Sequence, residues 1–110
     1  MLVSGPGLAR PVLFADWDEN GRFLSSLVAA RRAQRPARDA PRLDIAMFWG
    51  WSGRPRPTRA RDANQHAWFY PARGARPPIV DATVDGVRTP RVVPRAALRI
   101  LARHRVPVRE

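Results

Sequence analysis

The residues of this chain best equipped for chemistry lie in one stretch, Met47 to Pro71, with the sequence MFWGWSGRPRPTRARDANQHAWFYP. Two aromatic clusters, Phe48, Trp49 and Trp51 on one side and Trp68, Phe69 and Tyr70 on the other, flank a segment carrying Arg54, Arg56, Arg59 and Arg61. Guanidinium groups pair with phosphate oxygens, and aromatic rings stack on unpaired bases at about 1 to 3 kcal/mol per base, so the combination has the make-up of a nucleic-acid surface. A plain structural explanation stands beside it: aromatics are the largest apolar side chains available to a small core, and loop arginines are solvated. Spacing separates the two in part. Trp68, Phe69 and Tyr70 are consecutive, and consecutive side chains on a strand alternate between faces, so at least one ring must project to the opposite side. Trp51, Trp68 and Tyr70 are the expected stacking residues, and Arg54, Arg56, Arg59 and Arg61 the expected phosphate contacts. Arg95, Arg99 and Arg103 recur at intervals of four, which aligns them along one side of a helix as a second basic face. Their alternative role is to cover apolar neighbours with their stems.

Other chemistries have less to build on. His66 and His104 are the only side chains that ordinarily titrate near neutrality. His66 has Asp62 four residues upstream and no serine or cysteine beside it to act as a nucleophile, so it reads as a histidine hydrogen-bonded at a strand end. His104 falls at a helix C-terminus, where a positive charge complements the dipole. Asp16-Trp17-Asp18-Glu19-Asn20-Gly21 resembles the opening half of a calcium-binding EF-hand loop, but the position that should carry the bidentate carboxylate is Leu27, and the sequence before it reads as a strand. Solvated acids in an Asn-Gly turn account for it more simply. No phosphate-binding glycine loop, dinucleotide fingerprint, nucleophile elbow or metal-spaced histidine pair occurs, so no cofactor, metal or catalytic residue is assigned.

Composition narrows the field further. The 110 residues carry 20 basic and 9 acidic side chains, a net charge of +11, and every basic residue is arginine. Replacement of lysine by arginine, with abundant Ala, Pro, Gly and Val, matches the drift of a GC-rich bacterial genome and needs no functional cause. The surplus charge is separate, because the swap leaves it unchanged, and it makes a long-range field that attracts polyanions. Absence of cysteine removes disulfides, thiolate nucleophiles and sulfur-ligated metal sites. No apolar run approaches the roughly 18 residues of a membrane span, and no secretory signal pattern precedes the first element, so a cytoplasmic location is expected.

The elements that must position these residues are short, because twelve prolines punctuate the chain. Residues 1–11 read as a flexible leader, and 12–110 as a single α+β domain with a long arginine-rich loop at 52–65. Val12 to Trp17 reads as a strand running into the Asn20-Gly21 turn, and Phe23, Leu24, Leu27 and Val28 predict an amphipathic helix extending toward Arg35-Pro36. Leu43, Ile45 and Met47 alternate on a strand, His66 to Tyr70 form an aromatic strand, and Ile79 to Val93 form a hairpin turning at Asp85-Gly86. Pro90 confines the second arm to an edge or interrupts it. Pro94 opens a C-terminal helix of about ten residues. The expected architecture is a small, mostly antiparallel sheet of four or five short strands, with one inner helix and a C-terminal helix packed on one face. The expected function is non-enzymatic nucleic-acid binding, held mainly by phosphate contacts. The alternative is a protein-interaction or structural module docking through exposed aromatics and arginines.

Overall fold

Local sequence dictates two strands directly. Leu43, Ile45 and Met47 place three large apolar side chains on one face of β3, Leu43–Met47, and Ala67 with Phe69 do the same for its neighbour β4, Gln65–Tyr70. The computed structural model describes residues 1–48, 63–84 and 86–110. Before β3 come β1, Leu2–Ser4, β2, Val12–Leu13, and helix α1, Trp17–Val28; after β4 come β5, Ile79–Val84, β6, Val87–Val92, and helix α2, Arg95–Arg103. The six strands form one sheet in the order β2-β1-β3-β4-β5-β6, with every pairing antiparallel. The α+β class is as read from the sequence, and the strand count is six rather than four or five.

The extra strand comes from the segment read as a leader. Leu2, Val3 and Ser4 pair with Ala46, Ile45 and Asp44 of β3 on one side, and Leu2 and Val3 pair with β2 on the other. Met1, Leu2 and Val3 are buried. Three residues are too few to show a period, and only the neighbouring strands make this one visible. Gly5 then turns the chain away at φ +136°, and a Cβ there would stand 3.1 Å from the Leu43 Cα, so β1 leaves the sheet through a position only glycine fills without strain.

Helix α1 starts earlier and ends sooner than its apolar spacing implies. The Asp16 carboxylate accepts from the backbone N–H of Asp18 at 2.9 Å and of Glu19 at 3.2 Å, an N-cap that draws the apparent Asn-Gly turn into the helix. The strand ahead of it is correspondingly short. The C-terminal turn lacks a basic residue of its own. Arg91 of β6 reaches across and donates to the carbonyls of Leu27 and Val28 at 2.8 and 3.0 Å, satisfying groups the helix end would leave open.

Both helices lie on one face of the sheet and pack against each other. Phe23 and Leu27 of α1 and Ala97, Ile100 and Leu101 of α2 join Val3, Leu43, Ile45, Phe69 and Val80 in a single buried cluster. Each large side chain there contributes roughly 1.5 to 3 kcal/mol by leaving water. Pro90 does not break β6. The N–H of Val92 points outward, donating to the Arg31 carbonyl at 2.8 Å, so the nitrogen of Pro90, two residues away, also faces the outer edge and its missing hydrogen removes nothing from the β5 ladder.

Candidate nucleic-acid interface

Strand alternation leaves the opposite sheet face with a very different make-up. The register aligns Asp44, Trp68, Asp81 and Pro90 across β3 to β6, with Ala46 and His66 in the next row and Tyr70, Ile79 and Val92 on the other side. No described helix covers this face; the connector between α1 and β3 crosses part of it.

Trp68 is the centre of the arrangement. It is partly exposed, the Arg42 guanidinium carbon lies 4.1 Å from its ring centroid, and that of Arg88 lies 5.9 Å away. An arginine held over an indole keeps N–H donors for an anion while its positive charge is stabilised by the ring. Arg88 also donates to the carbonyls of His66 at 3.2 Å and Asp81 at 3.3 Å, which fixes it beside the ring. Asp81 is buried, with its carboxylate 2.9 Å from Arg35 Nε and 3.5 Å from Arg88 Nε. Hydrogen bonding and charge from Asp81 raise the Arg35 pKa above its ordinary value, so Arg35 is a permanent cation at this face.

His66 has a partner that sequence distance concealed. Its Nδ1 lies 2.9 and 3.1 Å from the two carboxylate oxygens of Asp44, on the adjacent strand. A carboxylate can only accept, so Nδ1 carries the proton and Nε2 keeps its lone pair in the neutral ring. That polarity suits a general base, but among the described residues no hydroxyl is hydrogen-bonded to Nε2. The pair cross-links β3 to β4.

The expected site residues are partly brought together and partly dispersed. Arg54, Arg56, Arg59, Arg61 and Trp51 lie outside the described residues, as do Trp49 and Asp62. Trp68 is partly exposed on this face, while Phe69 is in the core. Tyr70 shares the face of Trp68 but is 3 % exposed, so it offers no ring to a base, and the platform reading of Tyr70 is corrected by its burial. Arg95, Arg99 and Arg103 are all exposed along α2, as their spacing required. Arg103 is nevertheless tied to the buried Glu19 at 3.0 Å, so the free part of that stripe is Arg95 and Arg99. Glu19 is the acid at the heart of the EF-hand-like segment. It turns inward to Arg103 and to His104, whose ring also lies 4.1 Å from that of Phe14. His104 therefore links α2 to an acid of α1 as well as standing at the C-cap of α2.

Arg35, Arg42, Asp44, Asp81 and Arg88 were missed by sequence reading. The available signal was a single acid at the outward position of two apolar strands, Asp44 in LDIAM and Asp81 in IVDATV. Among the described residues no helix is long and apolar enough to cross a membrane, and no cluster of three or more His, Asp and Glu side chains could hold a metal ion. No protein-family model, characterised protein or solved structure matches the chain.

Proposed function

We propose that this chain is a basic, non-enzymatic α+β domain that binds nucleic acid, chiefly through arginine contacts to phosphates. The observation that carries the reading is Trp68, partly exposed on the sheet face that no described helix covers, with Arg42 over its ring and Arg88 beside it. Phosphate pairing by the flanking guanidiniums, and stacking of a base on the indole in exchange for Arg42, are the two terms that single-stranded recognition combines. The acids Asp44, Asp81, Glu19 and Glu110 each face a cation or histidine within the fold, which leaves the +11 surplus to the surface. Arg54, Arg56, Arg59 and Arg61 lie in the sequence between β3 and β4, the two strands that carry Asp44 and Trp68, and are assigned to phosphate contacts in this proposal.

The test is a salt titration of binding to single-stranded and duplex oligonucleotides, run for the native chain, for Trp68→Ala and for a variant with Arg54, Arg56, Arg59 and Arg61 all changed to alanine. If four phosphate contacts are lost, the slope of log affinity against log salt becomes shallower by about 3 for a single strand. An unchanged slope refutes the role of those arginines, and no binding at low salt refutes the proposal.

A second reading has its own observation. Trp17, Leu24 and Val28 are 61, 37 and 60 % exposed, and at 100° per residue they fall within about 40° of one another on α1. Such a stripe supports docking on a protein partner. Its discriminating variant, Trp17→Ala with Val28→Ser, leaves oligonucleotide binding unchanged under the first reading.

A further inference from the structure

A second concave feature, beside the Trp68 face but distinct from it, lies where the connector after α1 crosses β5 and β6. Its volume is about 540 Å³, and Arg31, Arg32, Arg35 and Arg76 line it with no carboxylate among the lining residues. Like charges around one cavity repel one another, and among the described residues Asp81 offsets Arg35 alone; an anion would offset the others.

The arginines are held by contacts that do not consume them. Arg31 and Arg32 belong to a segment pinned to the outer edge of β6, where Val92 N–H donates to the Arg31 carbonyl at 2.8 Å and Ala33 N–H to the Pro90 carbonyl at 2.9 Å. Arg35 spends Nε and one terminal nitrogen on Asp81, which lies behind it. Arg76 donates from one terminal nitrogen to the Pro71 carbonyl at 2.7 Å, and its Nε is buried with no partner. Each of the latter two guanidiniums keeps N–H groups for a ligand, and a phosphate accepts several at once.

The remaining lining is not that of a simple anion hole. Pro77, Ile79 and Val92 supply a carbon surface, and Gln34 adds an amide able both to donate and to accept. The volume lies within the range of about 300 to 1,000 Å³ usual for small-molecule sites, far more than an inorganic ion needs. A doubly charged phosphate joined to a planar, mostly apolar body matches both halves. We infer that this groove binds a phosphomonoester of the nucleoside monophosphate class, with the phosphate among the arginines and the base on the Pro77, Ile79 and Val92 surface. The ligand is either a free nucleotide or the 5′-phosphorylated end of a strand. The inference does not rest on strand binding at the Trp68 face.

Calorimetry with a purine nucleoside monophosphate, the matching nucleoside and inorganic phosphate tests it, using the full chain and two variants of equal charge change. Arg31→Ala with Arg32→Ala removes two exposed lining residues. Arg95→Ala with Arg99→Ala removes two from α2. The expected result is nucleotide binding at least tenfold weaker in the first variant and within threefold of native in the second, with inorganic phosphate and nucleoside each binding more weakly than the nucleotide. Absence of nucleotide binding, an equal loss in both variants, or equal affinity for inorganic phosphate overturns the inference. Oligonucleotides bearing a 5′-phosphate or a 5′-hydroxyl then identify the source: a preference for the phosphate that disappears in Arg31→Ala with Arg32→Ala marks a strand end, and no preference marks the free nucleotide. A strand that binds without any mononucleotide binding preserves the Trp68 interface and sinks this site.

Discussion

Replacing Glu19 by alanine is the most informative single change, because one carboxylate both joins the helices and determines how much of α2 is available to an anion. Glu19 is 4 % exposed, with one oxygen on Arg103 Nη1 at 3.0 Å and the other on His104 Nε2. A hydrogen bond to a charged group contributes roughly 1.5 to 3 kcal/mol. The Arg103 side chain is 62 % exposed, so its share shrinks because water replaces the lost partner, whereas His104 is half-buried and would be left without one. With the loss of the Glu19 methylenes, Glu19→Ala should cost about 2 to 3 kcal/mol, or a Tm lower by about 10 °C for a chain of this size. Glu19→Gln keeps the shape and one acceptor and should cost about half as much. Urea unfolding followed by circular dichroism measures both, and a double-mutant cycle with His104→Ala isolates the contact; the double variant should be less destabilised than the sum by more than about 0.5 kcal/mol. The alanine variant also frees Arg103, so oligonucleotide binding should gain a slightly steeper salt dependence. A stability loss below about 0.5 kcal/mol, or strict additivity in the cycle, would refute the argument that this acid is a buried ion-pair partner.

Trp68→Ala should leave the fold intact, since the ring is outside the core cluster, and should weaken single-stranded oligonucleotide binding by about 1 to 3 kcal/mol; an effect below about 0.3 kcal/mol removes stacking from the proposal. Asp16→Ala removes the cap of α1 and should cost about 1 kcal/mol, while millimolar calcium should leave the native Tm unmoved; calcium-dependent stabilisation would restore the metal-loop reading of Asp16 to Gly21. Arg91→Ala exposes the last carbonyls of α1, so amide exchange in the final turn should accelerate at a global cost of about 1 to 2 kcal/mol, and exchange confined to β6 would contradict the contact. Nucleotide affinity in the arginine groove should rise roughly threefold or more between pH 5.5 and 7.5, because the phosphomonoester gains its second charge near pH 6 while arginine stays protonated; a flat profile would indicate that the dianion is not what binds.

Much of the scaffold was legible because it is specified locally. The alternation at Leu43, Ile45 and Met47, the Asp-Gly hairpin with Gly86 at φ +79°, and Pro94 ahead of RAALRILAR each place an element within a residue or two. Two errors at α1 share one cause, competition between local signals. Asn20-Gly21 is a strong turn in isolation, yet Asp16 accepts two N–H groups and makes the same residues the start of a helix. Ala29 to Ala33 could extend that helix, but Arg91 takes the carbonyls of Leu27 and Val28, and Arg31 to Ala33 bond to β6 instead. The second outcome is not visible without the partner strand.

Sequence alone determined the quantities that need no third dimension. These are the +11 charge, the lack of thiol chemistry, the α+β class, and the requirement that Trp68, Phe69 and Tyr70 divide between two faces. Tertiary structure decided which rings and charges remain available, because burial and pairing depend on residues far apart in the chain. It put Tyr70 under cover and left Trp68 open, and it spent Arg103 on a carboxylate 84 residues away. It gave His66 a partner 22 residues distant, and it drew Arg31, Arg32, Arg35 and Arg76 around one cavity. Net charge is a sum over the chain, whereas a binding site is a set of distances, and only the sheet register and the path of the connector fix those.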